Sequence, residues 1–122
     1  MNQKPKIVFF DMEGTLFSSS GLRADGSKSI SAWPILTDAL GPHVTRADFA
    51  NYQKWKRGEY ESYIPWMEDT SALLKQHGPT KDIFDRVIAS VEYFPGVDTV
   101  MNALHAEGVT TAVITGGFYE QA

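Results

Sequence analysis

The sequence predicts an α/β fold in which a helical domain is inserted between two parallel strands. An apolar run at residues 6–10 and a β-branched run at residues 109–115 are predicted to be core strands. Roughly a hundred residues separate these runs, whereas a crossover between parallel strands needs only about a dozen. The excess predicts a second small domain. We therefore expect a core formed by residues 1–20 and 93–122 and a helical cap formed by residues 21–92.

The first strand leads directly into two carboxylates. Its residues from Ile7 to Phe10 are all apolar, as expected of a strand that helices cover on both faces. The hexapeptide Asp-Met-Glu-Gly-Thr-Leu follows at residues 11–16, with a turn at Gly14. Because α/β sheets bind ligands at the carboxyl ends of their parallel strands, we expect Asp11 and Glu13 to converge on one pocket. Two carboxylates in one pocket suit covalent and acid–base chemistry.

The inserted segment is predicted to begin with a loop or short hairpin and to continue as helices. Residues 18–31 are rich in serine, glycine and aspartate, and Asp25-Gly26 is a turn signal. We expect Thr45 and Asp48 to form a capping box and Thr80 to be an N-cap. The four helical patterns begin near residue 32, at Thr45, near Ser62 and after Thr80.

A fifth, amphipathic helix is predicted before the second strand. Its apolar residues follow the i, i+3, i+4, i+7 spacing, and Gly108 is its expected C-terminal stop. The second strand follows at once and ends at Gly116-Gly117. The apolar residues of the helix are Val97, Val100, Met101 and Leu104.

Composition favours a cytoplasmic protein without nucleic-acid or membrane partners. The chain has no cysteine, so disulfide scaffolds, thiolate zinc sites and cysteine nucleophiles are excluded. Its net charge is −4, with no cluster of lysine and arginine that could bind a phosphate backbone. The apolar run before Asp11 is too short for a signal peptide or a membrane span.

The two strand ends together resemble those of the haloacid dehalogenase-like (HAD-like) hydrolases, and most closely the phosphoserine phosphatase-like branch. In that family the first motif is Asp-x-Asp-Gly-Thr-Leu or similar. The second motif ends in Ser or Thr and is often followed by Gly-Gly-Phe in this branch, as at residues 115–118 here. The resemblance covers both ends of the chain and the position of the cap. It implies a Rossmann-like core with an inserted α-helical cap, of which our two parallel strands are an incomplete part.

The resemblance also implies a phosphatase acting on a small phosphorylated metabolite. Asp11 would be the nucleophile that forms an aspartyl-phosphate, and Glu13 would be the acid/base. Mg²⁺ would be held by the Asp11 carboxylate and the backbone carbonyl of Glu13. The Thr115 hydroxyl and the backbone N–H groups of Gly116 and Gly117 would bind the phosphate.

Two departures from the family pattern bear on this assignment. Most members have Asp where this chain has Glu13, which keeps the carboxyl group on a longer arm. Phosphoserine phosphatases use a cap arginine to bind the substrate carboxylate, and residues 66–70 here contain none. The second departure argues against phosphoserine itself as the substrate.

The family's remaining charges are not found in this sequence. A lysine and further acidic metal ligands lie downstream of the Gly-Gly-Phe segment in the family. A phosphate charge beside the Asp11 carboxylate is repelled by about 4 kcal/mol at an effective dielectric of 20, so a cation must offset it. We therefore expect that a C-terminal half or a second chain completes the core, and that the 122 residues alone are inactive.

Other functions remain as alternatives. The same family contains phosphotransferases, which transfer the phosphoryl group to an alcohol instead of water. A non-catalytic binding or regulatory module, or a catalytically incomplete fragment, is a second alternative. A nucleotide-binding domain is disfavoured because no Gly-x-Gly-x-x-Gly loop follows the first strand.

The remaining candidate residues are interpreted as structural. We favour a cap core over a substrate entrance for six aromatic residues, namely Trp33, Tyr52, Trp55, Tyr60, Tyr63 and Trp66. The histidines lack metal-site spacing, with His43 expected in a loop, His77 in a last helical turn and His105 on a helix. One cap cation could bind a substrate carboxylate, although most should be solvated: Arg23, Lys28, Arg46, Lys54, Lys56 and Arg57.

Overall fold

The computed structural model describes residues 3–122 and has a mixed α/β architecture. Its strands are β1 (Ile7–Phe10), β2 (Phe17–Ser19), β3 (Gly21–Leu22), β4 (Lys28–Ser29), β5 (Glu92–Tyr93) and β6 (Thr110–Val113). Its helices are α1 (Trp33–Ala39), α2 (Pro42–Lys56), α3 (Tyr63–His77), α4 (Lys81–Ile88) and α5 (Val97–Ala106), and a 3₁₀ turn spans Tyr119–Gln121. The predicted fold class is confirmed, and each predicted helix is present.

The two predicted core strands are neighbours. Strands β1 and β6 pair in parallel, from Ile7 opposite Thr110 to Phe10 opposite Val113. Strand β6 is shorter than the predicted range 109–115. Because the strands run in the same direction, the segments that follow them, at Asp11 and Thr115, leave the sheet at the same edge. The fold therefore brings the two sequence motifs together.

Only one face of this sheet is covered by the described residues. Phe10 and Val113 pack against a buried cluster of Met12, Leu16 and Phe17, together with Met101 from α5. On the opposite face, Ile7 is 48% exposed and Phe9 is 61% exposed. The prediction that helices cover both faces of β1 is wrong for this part of the chain, because the described residues pack on the face of Phe10 and leave Ile7 and Phe9 exposed.

Two short antiparallel pairs lie where the inserted segment leaves and rejoins the core. Strands β3 and β4 form the expected hairpin, with Gly26 in its turn at a φ of 84°. Strands β2 and β5 also pair, and Phe94 N–H donates to the Leu16 carbonyl over 2.9 Å. This second pair was not predicted, because β5 has only two residues and leaves no periodic pattern.

Two helix starts were predicted from capping signals, and the structure confirms one of them. Thr80 Oγ1 accepts from Ile83 N–H over 3.3 Å, which confirms the predicted N-cap of α4. The Thr45 capping box is wrong, because α2 already begins at Pro42 and includes His43, which was expected in a loop. Proline needs no N–H partner at a first helical position, so it sets this start. The Thr45 hydroxyl instead donates to Asp38 Oδ1 over 2.9 Å.

The helices enclose a core of their own, and Phe118 enters it from the segment after β6. The ring centroid of Phe118 lies 4.4 Å from that of Trp33 and 5.3 Å from that of Phe84. This packing attaches the chain after β6 to the helical part. The buried residues of this core are Ala32, Ile35, Leu36, Leu74 and Val87. No helix within residues 3–122 is long and apolar enough to cross a membrane.

A partly buried ion pair fixes the β3–β4 hairpin to α1. Arg23 donates through Nε to Asp38 Oδ2 over 2.6 Å and through Nη2 to Asp38 Oδ1 over 3.1 Å. The Asp38 side chain is only 6% exposed. Burial raises the pKa of Asp38, but hydrogen bonds from Arg23, Ala24 N–H and Thr45 outweigh it and leave the pKa below its ordinary value.

Arg23→Met is therefore expected to destabilise the fold by about 3 kcal/mol, because it leaves a buried carboxylate without its cation. The double variant Arg23→Met with Asp38→Asn should recover part of this loss, which urea denaturation measures. Since the Asp38 pKa is lowered, the stabilisation is present at neutral pH and is lost as the pH falls through that lowered pKa. A single variant as stable as the wild type at pH 7 would contradict this account.

Candidate active site

A tight turn after β1 positions the two predicted carboxylates. The Met12 carbonyl accepts from Thr15, Leu16 and Phe17 N–H over 3.2, 2.9 and 3.0 Å, and Gly14 has a φ of 78°. Met12 itself is fully buried. Its N–H donates to Asp11 Oδ1 over 2.7 Å, which orients the exposed Asp11 carboxylate. The burial of Met12 thus anchors the turn between the two acids.

The Glu13 carboxyl group is half-buried and lies beside the residues that directly precede α1. Its Oε1 accepts a long hydrogen bond of 3.4 Å from Ala32 N–H. Burial raises the pKa of Glu13; the hydrogen bond from Ala32 lowers it, and the nearby Asp11 charge raises it. The net shift is upward, so the protonated form is favoured relative to an exposed glutamate. A half-buried carboxylic acid of this kind can donate a proton.

The segment after β6 approaches the turn very closely. Thr115 Oγ1 accepts from Gly117 N–H over 2.9 Å, so that N–H is already paired while the Thr115 hydroxyl proton is free to donate. A Cβ atom at Gly117 would lie 2.8 Å from Met12 Cε and 3.0 Å from Glu13 Oε1. Both distances are shorter than ordinary contacts, so a side chain at this position would require the ends of the Met12 and Glu13 side chains to move.

One cavity of about 770 Å³ joins the strand ends to the helices. Asp11, Glu13, Thr115 and Gly116 line it, whereas Gly117 does not. Four of the five residues that the sequence singled out therefore line one cavity, and the fifth, Gly117, lies directly beside Glu13. A volume of this size is typical of a small-molecule site.

The aromatic residues of the helical part form much of the cavity wall. Trp33, Tyr52, Tyr63 and Trp66 line the cavity, although Trp33 also packs against the helical core and Trp66 against Tyr52, Trp55 and Tyr63, as the favoured interpretation as cap core expects. Trp55 instead stacks on Trp66 at a centroid distance of 5.0 Å. The Tyr60 hydroxyl donates to Asp69 Oδ2 over 2.6 Å.

Trp33 also ties the helical part to the loop after β6. Its Nε1–H donates to the Gly116 carbonyl over 3.0 Å. A Cβ atom at Gly116 would lie 2.8 Å from the Tyr63 hydroxyl oxygen. Residues from α1 and α3 thus contact the loop that carries the predicted phosphate-binding groups.

Four polar cavity residues were not identified as site residues from the sequence, namely Ser31, Thr45, Asp48 and Thr70. Asp48 and Thr70 face the cavity from α2 and α3, and Thr45 lies beside them. Asp48 had been assigned to a cap, and the spacing of a polar residue on a helix does not reveal that it faces a cavity. Arg23, the one basic residue among those lining the cavity in the described structure, is paired with Asp38.

The oxygen atoms at the turn suit a hard cation. Within residues 3–122 the Glu13 carbonyl accepts no hydrogen bond, and Asp11 Oδ2 accepts none. Mg²⁺ prefers oxygen ligands and keeps several waters, so one carboxylate and one carbonyl are a compatible partial set. No cluster of three or more His, Cys, Asp or Glu residues occurs in the described part of the chain. His43 and His77 have rings 4.9 Å apart without a third such neighbour.

This fold and site define an α/β protein with an acidic pocket at the carboxyl ends of parallel strands. The model of the haloacid dehalogenase-like hydrolase family matches residues 5–122. The chain therefore belongs to this family of hydrolases, which confirms the resemblance at the level of the family. No curated protein and no solved structure matches the chain significantly. The phosphoserine phosphatase-like branch stays a prediction.

Proposed function

We propose that the protein is a Mg²⁺-dependent phosphomonoester hydrolase that acts on a small phosphorylated metabolite. The observation that supports this most directly is the shared cavity, into which Asp11, Glu13 and Thr115 all open. Asp11 supplies an exposed carboxylate oxygen, Glu13 a partly buried carboxyl group with a raised pKa, and Thr115 a free hydroxyl donor. These are a nucleophile, a proton carrier and an anion ligand.

The reaction has two displacement steps. A carboxylate oxygen of Asp11 attacks phosphorus, the bond from phosphorus to the alcohol oxygen breaks, and Glu13 gives its proton to that oxygen. The Glu13 carboxylate then takes a proton from water as the water oxygen attacks phosphorus. The aspartyl-phosphate bond breaks, which releases inorganic phosphate and restores both carboxyl groups.

Asp11 and the Glu13 carbonyl would hold Mg²⁺, which supplies positive charge against the phosphate oxygens when it is bound. The chain's own contributions are the Thr115 hydroxyl, which donates to a phosphoryl oxygen, and the half-buried position of Glu13, which limits the access of water to its proton. We also propose that residues 21–92 act as the cap, because α1, α2 and α3 supply most of the cavity wall.

We further propose that a C-terminal segment or a second chain completes the core. Two observations support this proposal. The face of β1 that carries Ile7 and Phe9 is exposed, and a two-stranded parallel sheet does not cover its own faces. Arg23 is already paired, so no free cation among residues 3–122 lines the cavity to offset the phosphate charge.

The proposal is tested by a Mg²⁺ titration followed by thermal denaturation, and by an assay of the full-length protein against a panel of phosphomonoesters. Mg²⁺ at about 100 times its Kd should stabilise the fold by about 2.7 kcal/mol, and Asp11→Asn should remove most of this gain. Mg²⁺-dependent release of inorganic phosphate is the expected activity. Release of phosphate at an equal rate without a divalent cation would overturn the metal assignment, and no turnover of any ester would favour a binding module.

A further inference from the structure

The cavity has a second polar end, which the proposed reaction does not use. Its strand end carries Asp11 and Glu13, whereas its helical end carries Asp48 on α2 and Thr70 on α3. Aromatic side chains line the same cavity. A phosphomonoester whose phosphate lies at the strand end would place its alcohol portion among these helices.

The helical end carries one carboxylate, Asp48, that forms no direct ion pair in the described chain, although the Arg23 charge is near enough to lower its pKa. Arg23 pairs with Asp38, which also accepts from Ala24 N–H and Thr45 Oγ1. Asp48 forms no ion pair within residues 3–122, and its one hydrogen bond comes from Thr37 Oγ1 over 3.2 Å. Thr37 Oγ1 also lies 3.0 Å from the Pro34 carbonyl oxygen, so its single hydroxyl proton is shared between two acceptors. The Asp48 carboxylate is therefore poorly satisfied.

Two further polar atoms at this end lack partners. Thr70 is 1% exposed, and its Oγ1 has no partner at hydrogen-bond geometry, although it is near enough to Asp48 to lower the pKa of that carboxyl slightly. One helical turn earlier, Trp66 Nε1 is likewise buried and unpartnered. Both residues line the cavity from the same face of α3. Buried polar groups without partners are uncommon in folded proteins, and a ligand that pairs with them removes their desolvation cost.

The surrounding rings favour a cation at this position. Phe49 and Tyr52 lie at a centroid distance of 6.2 Å, and Tyr52 and Trp66 lie at 6.1 Å. All three line the cavity together with Asp48. Aromatic faces attract cations, and the attraction is stronger where water is excluded. Burial also raises the pKa of Asp48, and this effect outweighs the hydrogen bond from Thr37 and the nearby Arg23 charge, which lower it.

From this geometry we infer that the helical end binds a protonated amine, so that the substrate is a phosphomonoester whose alcohol portion carries an ammonium group. The inference rests on the proposed function for the phosphate end alone. The ammonium donates to the Asp48 carboxylate and to Thr70 Oγ1. The Trp66 N–H, a donor, pairs with an oxygen of the same ligand. A carboxylate in this place would face Asp48 with no free cation beside it.

The test measures binding by calorimetry, with Mg²⁺ present, for three matched probes: 2-aminoethyl phosphate, 2-hydroxyethyl phosphate and phosphoglycolate. The amine should bind at least about tenfold more tightly than the neutral probe, as expected for a hydrogen bond to a charged group. Phosphoglycolate should bind most weakly. Asp48→Asn should abolish the preference for the amine, whereas the exposed Asp82→Asn should retain it.

Ethanolamine without phosphate separates this inference from the proposed function. Its addition should shift the indole N–H resonance of Trp66 more than those of Trp33 and Trp55, and ethylene glycol should not. Thermal denaturation checks that Asp48→Asn is folded, and its unfolding temperature at pH 7 should not fall.

If ethanolamine shifts the Trp66 signal while no phosphomonoester is hydrolysed, the amine site stands and the phosphatase assignment fails. If the three probes are hydrolysed and bound equally, and Asp48→Asn changes nothing, the amine site is refuted and the phosphatase assignment stands. Equal affinity of the amine and the neutral probe would indicate a site for uncharged polyols.

Discussion

Asp11→Asn is expected to lower phosphomonoester hydrolysis by on the order of 10⁴-fold or more, as removal of a covalent nucleophile does in other enzymes. The amide oxygen of asparagine is a poor nucleophile. It can still accept the hydrogen bond from Met12 N–H, which is the one hydrogen bond that the Asp11 side chain makes in the described structure. The variant should therefore fold normally while losing the first chemical step.

The matched control is Asp98→Asn, an exposed aspartate in the first turn of α5 that does not line the cavity. It should hydrolyse phosphomonoesters at the wild-type rate. Beryllofluoride with Mg²⁺ offers a measurement without turnover, because this phosphoryl analogue needs a free carboxylate. It should give a bound signal in ¹⁹F NMR with the wild type and none with Asp11→Asn. Equal binding or equal turnover would remove Asp11 from the nucleophile role.

Glu13→Gln is expected to lower the hydrolysis of alkyl phosphates by roughly 10²–10⁴-fold, the usual contribution of a general acid or base. Glutamine keeps the length of the side chain and an oxygen that can accept from Ala32 N–H, but it carries no transferable proton. The loss should depend on the leaving group. An alkoxide needs a proton as it leaves, whereas nitrophenolate leaves readily without one.

The measurement compares an alkyl phosphate with p-nitrophenyl phosphate in the wild type and in Glu13→Gln. Formation of the aspartyl-phosphate, followed as the burst of nitrophenol, should be much less affected than turnover of the alkyl ester. Glu92→Gln is a suitable control, because Glu92 is exposed and pairs with Lys28 outside the cavity. An equal loss for both esters would show that Glu13 positions the turn and transfers no proton in the first step.

The fold follows from local sequence patterns where those patterns are long. The apolar run before Asp11 and the β-branched run before Gly116 predicted β1 and β6, and their parallel pairing then placed the two motifs at one edge. The i, i+4 patterns and the Thr80 cap predicted the helices. Thr45 was misassigned because the sequence has two helix-start signals three residues apart, Pro42 and Thr45, and the helix begins at Pro42.

The helical end of the site could not be predicted, since its chemistry depends on packing between helices. On sequence alone, Asp48 is an ordinary polar residue on a helix. Asp48 lacks an ion-pair partner because Arg23, which is 25 residues earlier in the chain, pairs with Asp38 instead. The roles of Tyr52 and Trp66 likewise depend on how α2 faces α3. The exposed face of β1 could not be predicted either, because an apolar strand does not specify which segment covers it.

The hydrogen bond from Trp33 to the Gly116 carbonyl has a thermodynamic consequence for ligand binding. Trp33 belongs to the helices that surround the alcohol portion, and Gly116 to the loop beside the phosphate. A ligand group that orders one of these segments lowers the cost of ordering the other. Affinities for the two halves of a substrate should therefore be cooperative, and by linkage the cooperativity must be reciprocal. The protein would then bind the whole substrate more tightly than the affinities for its two separate halves predict.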